Sequence, residues 1–134
     1  IAALGIGCKR GTSAEKLEAV FAAFCAEHRL ALQGIMQAAS IDLKQDEPGL
    51  AAFCHAHGWP MDFYTADELR TAPGNFTASN FVQSVTGVDN VCERAAVLAS
   101  GGELLLPKWA HDGVTFAVAC APFAPDWRWK NDES

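Results

Sequence analysis

Charge is scarce in this 134-residue chain: only 19% of residues carry it, and acids outnumber bases to leave a net charge of −6. So acidic a chain repels a phosphate backbone, and its few cations would have to form one face before nucleic acid could be held. No nucleic-acid partner is expected, although Lys9, Arg10, Lys44 and Lys108 can still converge locally. No apolar run approaches the roughly 20 residues that a membrane-crossing helix needs, so no membrane partner is expected either. The opening "IAALGIGC" is too short for the apolar stretch of a secretory leader and lacks a basic start; it reads as a strand.

Paired cysteines are also missing. Cys8, Cys25, Cys54, Cys92 and Cys120 are odd in number, widely spaced and without a Cys-x-x-Cys pair, which suggests neither a disulfide framework nor a zinc site. A reducing cytoplasm is the expected location. His55 and His57 stand two apart and cannot share a helix face, while His28 and His111 are isolated, so no metal is expected. Nucleotide signatures fail on spacing. Lys9 precedes Gly11 with Arg10 between them, and Gly5, Gly7 and Gly11 miss G-x-G-x-x-G by one residue, so no cofactor is expected.

Half of the residues are hydrophobic, enough for one core. "IAALGIGC" has the continuous apolar character of a strand buried on both faces. From Ser13, apolar positions recur at Leu17, Val20, Phe21, Phe24, Cys25 and His28, the period of an amphipathic helix, with Thr12 and Glu15 at capping-box spacing. "IMQAASIDLK" supplies a second strand, and "QDEPGL" opens a helix that stops at Gly58. "MDFYT" is a third strand, after which Thr65 and Glu68 repeat the capping spacing. Helices are expected over 77–86 and 91–100, divided by the turn "GVDN". "ELLLPKWA" and "VTFAVACA" flank "HDG", whose Asp-Gly predicts a hairpin. The pattern predicts one three-layer α/β/α domain over residues 1–121, with a mixed five-stranded sheet, mostly parallel and ending in an antiparallel hairpin. A partly disordered tail is expected over 122–134, where Trp127 and Trp129 offer a surface for a partner or a second copy.

Sheets of this kind bind ligands beyond the carboxyl ends of their strands, and "GIGCKRGTSAEKLE" falls at such an end. Gly7 and Gly11 let the backbone approach a ligand, Lys9 and Arg10 are cations, and Thr12 and Ser13 add hydroxyls: together these suit an anion. The alternative is a plain strand-to-helix turn with solvated cations. Asp42 interrupts an apolar strand and would share its face with Lys44, as a general base or as half of a pair. For Asp46 and Glu47, capping a helix dipole is the simpler role. Glu93 meets the N-terminal dipole of its helix or reaches the ligand loop. Lys108 contacts an anion or sits solvated at a strand end. Cys8 is read as a small buried hydrophobe rather than a nucleophile.

In this order, "GIGCKRGTSAEKLEAVF", "ASIDLKQDEPGL", "GVDNVCERAAVLASGGELLLPK" and "GVTFAVA" resemble the cobalamin-biosynthesis CobE and CbiG C-terminal domain family over nearly the whole chain. The resemblance is to the short, CobE-like form. It implies a role in assembling the corrin ring of vitamin B12, with a precorrin or corrin polycarboxylate as ligand. The expected role is that of carrier, scaffold or accessory subunit, working with other corrin-biosynthesis enzymes or as a homodimer. The alternative is a hydrolase, or a subunit of one, opening a precorrin lactone; the resemblance does not extend to that enzyme's N-terminal region. On this view Gly7, Cys8, Lys9, Arg10, Gly11, Thr12, Ser13, Lys44, Asp46 and Lys108 line the ligand site, and Asp42 and Glu93 are the catalytic candidates.

Overall fold

A computed structural model of the chain describes residues 2–29, 34–76 and 90–121. The elements are β1 (Ala2–Cys8), α1 (Ala14–His28), β2 (Ile35–Ile41), a 3-10 turn (Asp42–Lys44), α2 (Pro48–His57), β3 (Met61–Tyr64), α3 (Ala66–Arg70), α4 (Val91–Ser100), β4 (Glu103–His111) and β5 (Val114–Cys120). They form one five-stranded sheet of order β3-β2-β1-β5-β4. β1, β2 and β3 run parallel, and β5 lies antiparallel to both β1 and β4. The α/β class, the mixed sheet and its closing hairpin are as the sequence predicts. Asp112 and Gly113 take φ of 55° and 81°, the left-handed pair that a two-residue hairpin with Asp-Gly favours. The helix and turn expected over 77–89, and the tail over 122–134, lie outside the described residues.

The two faces of the sheet differ. One is covered by α1 and α2, whose Leu17, Phe21, Phe24, Leu50 and Phe53 pack on Leu4, Ile6, Phe116 and Val118. Phe21 sits at the centre, edge-on to Phe53, Trp59 and Phe116 at 5.6, 5.3 and 5.5 Å between ring centres. The other face carries small residues, and α4 lies on it, with α3 against α4. A Cβ on Gly5 would stand 1.7 Å from the carbonyl oxygen of Cys92, so α4 reaches this depth only because position 5 has no side chain.

Two sequence expectations are corrected, and a third is met. The cap of α1 is Ser13, whose hydroxyl accepts from Lys16 N at 3.1 Å; Thr12 and Glu15 form no capping box. Thr12 turns back instead, donating its hydroxyl to the Lys9 carbonyl at 2.6 Å, which a tight turn ending in Gly11 at φ 80° makes reachable. The second strand stops at Ile41, so Asp42 and Lys44 lie in a 3-10 turn and share no strand face. At Thr65 the capping box forms in full: its hydroxyl accepts from Glu68 N, and the Glu68 carboxylate accepts from Thr65 N.

Candidate functional site

The carboxyl ends of β1, β2 and β3 lie along one edge of the sheet, and each leads into the start of a helix. α4 starts there too. It descends to β4 at Glu103, which pairs with Cys120, itself paired with Ala2 at the opposite edge. The starts of several helices therefore face the same rim, and their dipoles favour negative charge there.

On the α1–α2 side, the opening loop is clamped onto the start of α2. Gly11 N donates to the Glu47 carboxylate at 2.8 Å, and a Cβ on Gly49 would stand 2.0 Å from the Thr12 carbonyl oxygen. Glu47 thus holds the loop by its backbone. It occupies the N-cap position of α2 without making a side-chain cap bond, so beyond the charge it brings to that helix end its carboxylate serves the loop. Cys8 is half-buried in the same corner. Burial pushes its thiol pKa up, opposed by the Lys44 ammonium and the Thr12 hydroxyl, with the Glu47 carboxylate raising it further. Cys8, Thr12, Lys44 and Glu47 are therefore neighbours, and the thiol stays protonated at neutral pH, which does not suit a nucleophile.

Lys9 and Arg10 are exposed at the tip of the loop. The Lys9 stem crosses the hairpin, 3.4 Å from where a Gly113 Cβ would stand. Lys16 pairs with Asp112 at 3.4 Å, so it is committed. By contrast, Lys9, Arg10, Lys44 and Lys108 make no ion pair among the described residues. Asp46 is exposed and Asp42 half-buried in the turn region, and neither carboxylate has an ion-pair partner among the described residues.

Toward α4 the rim is buried. Gly7 accepts from the Thr115 hydroxyl at 3.4 Å, and a Cβ at Gly7 would meet that hydroxyl at 2.4 Å. Cys92, its thiol 3.7 Å from the Asn90 side-chain oxygen, is pushed up to about 12 by burial, against the pull of the Thr115 hydroxyl and the Lys108 ammonium. Glu93 is fully buried, and its carboxylate accepts from Lys108 N at 2.6 Å. The strand ends thus bring the opening loop together with Lys44 at one end of the rim, and Glu93 with Lys108 at the other. Among the described residues, Asp42 joins neither group by a hydrogen bond from its side chain.

Gly49 and Thr115 are the partners that sequence reasoning missed as parts of the rim, and the Glu47 bond to the Gly11 backbone is the contact it missed. Glu47 and Gly49 sit beside Pro48 at a helix start, where nothing in sequence spacing indicates a loop 36 residues earlier. No cluster of three metal-binding side chains exists among the described residues, and no described helix is long and apolar enough to cross a membrane.

A mixed α/β sheet with helix starts gathered at the carboxyl ends of its parallel strands defines the class of fold. Its particular family follows from comparison: a family model described as "Cobalamin synthesis G C-terminus" matches residues 2–119, and the chain belongs to that cobalamin-biosynthesis family. It is 36% identical over 124 residues to a cobalt-precorrin-5A hydrolase of Priestia megaterium, covering 92% of this chain and 33% of that protein. It is 32% identical over 104 residues to Protein CobE of Sinorhizobium sp, covering 77% of this chain and 68% of that one. The crystal structure of CobE, a protein from the cobalamin (vitamin B12) biosynthetic pathway, superposes with a TM-score of 0.80 at 33% identity, over 89% of each chain. Cobalamin biosynthesis protein chiG from Agrobacterium tumefaciens shares the fold, with a TM-score of 0.71 at 24% identity, over 92% of this chain and all of that one. The chain spans about a third of the length of the hydrolases it matches.

Proposed function

We propose that the protein binds a precorrin or corrin polycarboxylate across the carboxyl rim of its sheet, as a carrier, scaffold or accessory subunit of cobalamin biosynthesis. One observation carries this reading: in an acidic chain of this family, Lys9, Arg10, Lys44 and Lys108 all lie near the rim without ion-pair partners among the described residues, beside the starts of α1, α2 and α4. A flat macrocycle fringed with carboxylates has the complementary charge. Arg10 can take a carboxylate through two parallel hydrogen bonds, and the lysines act as point charges. The cytoplasm is the compartment we propose for this binding.

A second reading, hydrolysis of a precorrin lactone, is favoured by the names of the Priestia megaterium and Salmonella typhimurium relatives, 36% and 33% identical. In that reading Asp42, half-exposed at the rim, activates water. Incubating the protein with late precorrins separates the two. A bound spectrum without new products supports carriage, release of a ring-opened product supports hydrolysis, and an unchanged spectrum with every intermediate overturns both.

A further inference from the structure

We propose that Glu93 is a positioning residue that aims Lys108 at the ligand, rather than a catalytic base. The inference rests on the polycarboxylate reading and assigns the placing of one of its four cations to a buried carboxylate. The register of β4 and β5 carries it. Leu104 pairs with Ala119, Leu106 with Val118 and Trp109 with Phe116, so β4 holds one extra residue before Leu106 and another before Trp109.

In a regular strand, residues 106 and 108 would share one face and residue 109 would take the other. The second bulge reverses this. Leu106 and Trp109 both pack on the α1 side, with Trp109 5.4 Å from Phe24 between ring centres. Lys108 is turned out of the ladder, and its N–H points to the Glu93 carboxylate at 2.6 Å. Pro107, just before it, has no N–H to offer the ladder. A bulge needs its freed N–H satisfied, and a buried one all the more. Glu93 meets that need from the first turn of α4. Lys108 itself is half-buried, with no ion pair of its own among the described residues. If the bulge relaxed by one residue, Trp109 and Lys108 would exchange faces.

The test is a titration of a corrin polycarboxylate, cobyrinic acid, against the full chain, with amide hydrogen exchange followed at position 108. Lys108→Ala should weaken binding about tenfold and flatten its salt dependence. Glu93→Gln keeps an acceptor of the same length, so it should bind within about twofold of the parent with a slowly exchanging amide at 108. Glu93→Met removes the acceptor; it should match Lys108→Ala in affinity and salt slope, expose the amide, and add nothing when combined with it. Normal binding by Lys108→Ala overturns the inference, as does a Glu93→Gln that binds no better than Glu93→Met. Should Glu93→Met fail to fold, Glu93→Gln and Lys108→Ala decide on their own. Loss of binding on Arg10→Ala but not on Lys108→Ala overturns this inference alone, whereas no binding by the parent protein overturns the polycarboxylate reading beneath it.

Discussion

The aromatic face and the alanine face of the sheet achieve burial by opposite means. Under α1 and α2, large rings interlock, and stability scales with the apolar area removed from water. Under α4, Ala3, Gly5, Ala39, Ala117 and Ala119 let a helix come nearly into backbone contact with β1. Close approach gives little area but fixes position tightly, which is what a helix start and a buried carboxylate at the rim require. The first face holds the larger buried side chains, and the second sets where the α4 start and Glu93 stand at the rim.

The sharpest way to break that comparison is to add a methyl group to one face and remove a ring from the other. Gly5→Ala drives a Cβ to 1.7 Å from a backbone carbonyl that cannot step aside without moving α4. Phe24→Ala opens a cavity under α1. Large-to-small changes of that kind cost about 3–5 kcal/mol, and Gly5→Ala should cost at least about 3 kcal/mol, beyond the usual penalty for overpacking. Urea unfolding of both variants checks this; a Gly5→Ala protein within about 1 kcal/mol of the parent would mean that α4 floats on its face.

A smaller loss is expected at Gly49, where the obstructing atom belongs to the opening loop. Gly49→Ala places a Cβ 2.0 Å from the Thr12 carbonyl oxygen, and the loop can give way where a helix in a core cannot. We expect about 1–3 kcal/mol by denaturant titration. The same variant should weaken polycarboxylate binding as well, because Arg10 moves with the loop. Unaltered affinity in a destabilised Gly49→Ala protein would separate the clamp from the site.

Much of this layout was legible from residues alone, because buried strands, helix periods and Asp-Gly turns are local signals. The described strands and α-helices follow those signals, and the capping box at Thr65 forms as its spacing predicts because all of its parts lie within four residues. The departures lie at the ends of elements, where a tight turn competes with the pattern of the neighbouring helix or strand. Thr12 looked like a cap, but the turn before it takes its hydroxyl, and Ser13 caps instead. Asp42 looked like a strand residue because Ile41 precedes it, yet the chain bends into a 3-10 turn on leaving the sheet. The Glu93–Lys108 bond and the double bulge behind it could not be read, since a bulge depends on the partner strand's register.

Each face also buries a thiol, and alkaline titration compares the two. Cys54 among the aromatic residues and Cys92 under α4 are both pushed from 9.0 up to about 12, in each case chiefly by burial. The folded protein therefore holds these protons after the unfolded chain has released them. Stability from this source is complete below about pH 9 and declines as pH rises toward about 12, by about 1.4 kcal/mol per pH unit for each thiol. Denaturation at stepped pH should show that slope, and Cys54→Ala or Cys92→Ala should each remove about half of it. A slope unchanged in Cys92→Ala would place the effect on the aromatic face alone.

The smallest expected change in stability is at the rim itself. Arg10 is exposed and makes no ion pair among the described residues, so Arg10→Ala should shift unfolding by less than about 0.5 kcal/mol. Its effect on binding should be larger, about tenfold for one charge-assisted contact with a carboxylate. Salt distinguishes a charge contact from a packing one. Attraction between exposed charges is screened over a Debye length of about 8 Å at physiological ionic strength, whereas apolar contact with a macrocycle hardly responds to moderate salt. A corrin polycarboxylate should therefore bind the parent protein more tightly than its amidated counterpart at low salt and lose that advantage as salt rises. In Arg10→Ala the gap between the two ligands should be narrow from the start. Equal affinities for acid and amide at every salt concentration would make the loop of Lys9, Arg10 and Gly11 a turn and nothing more.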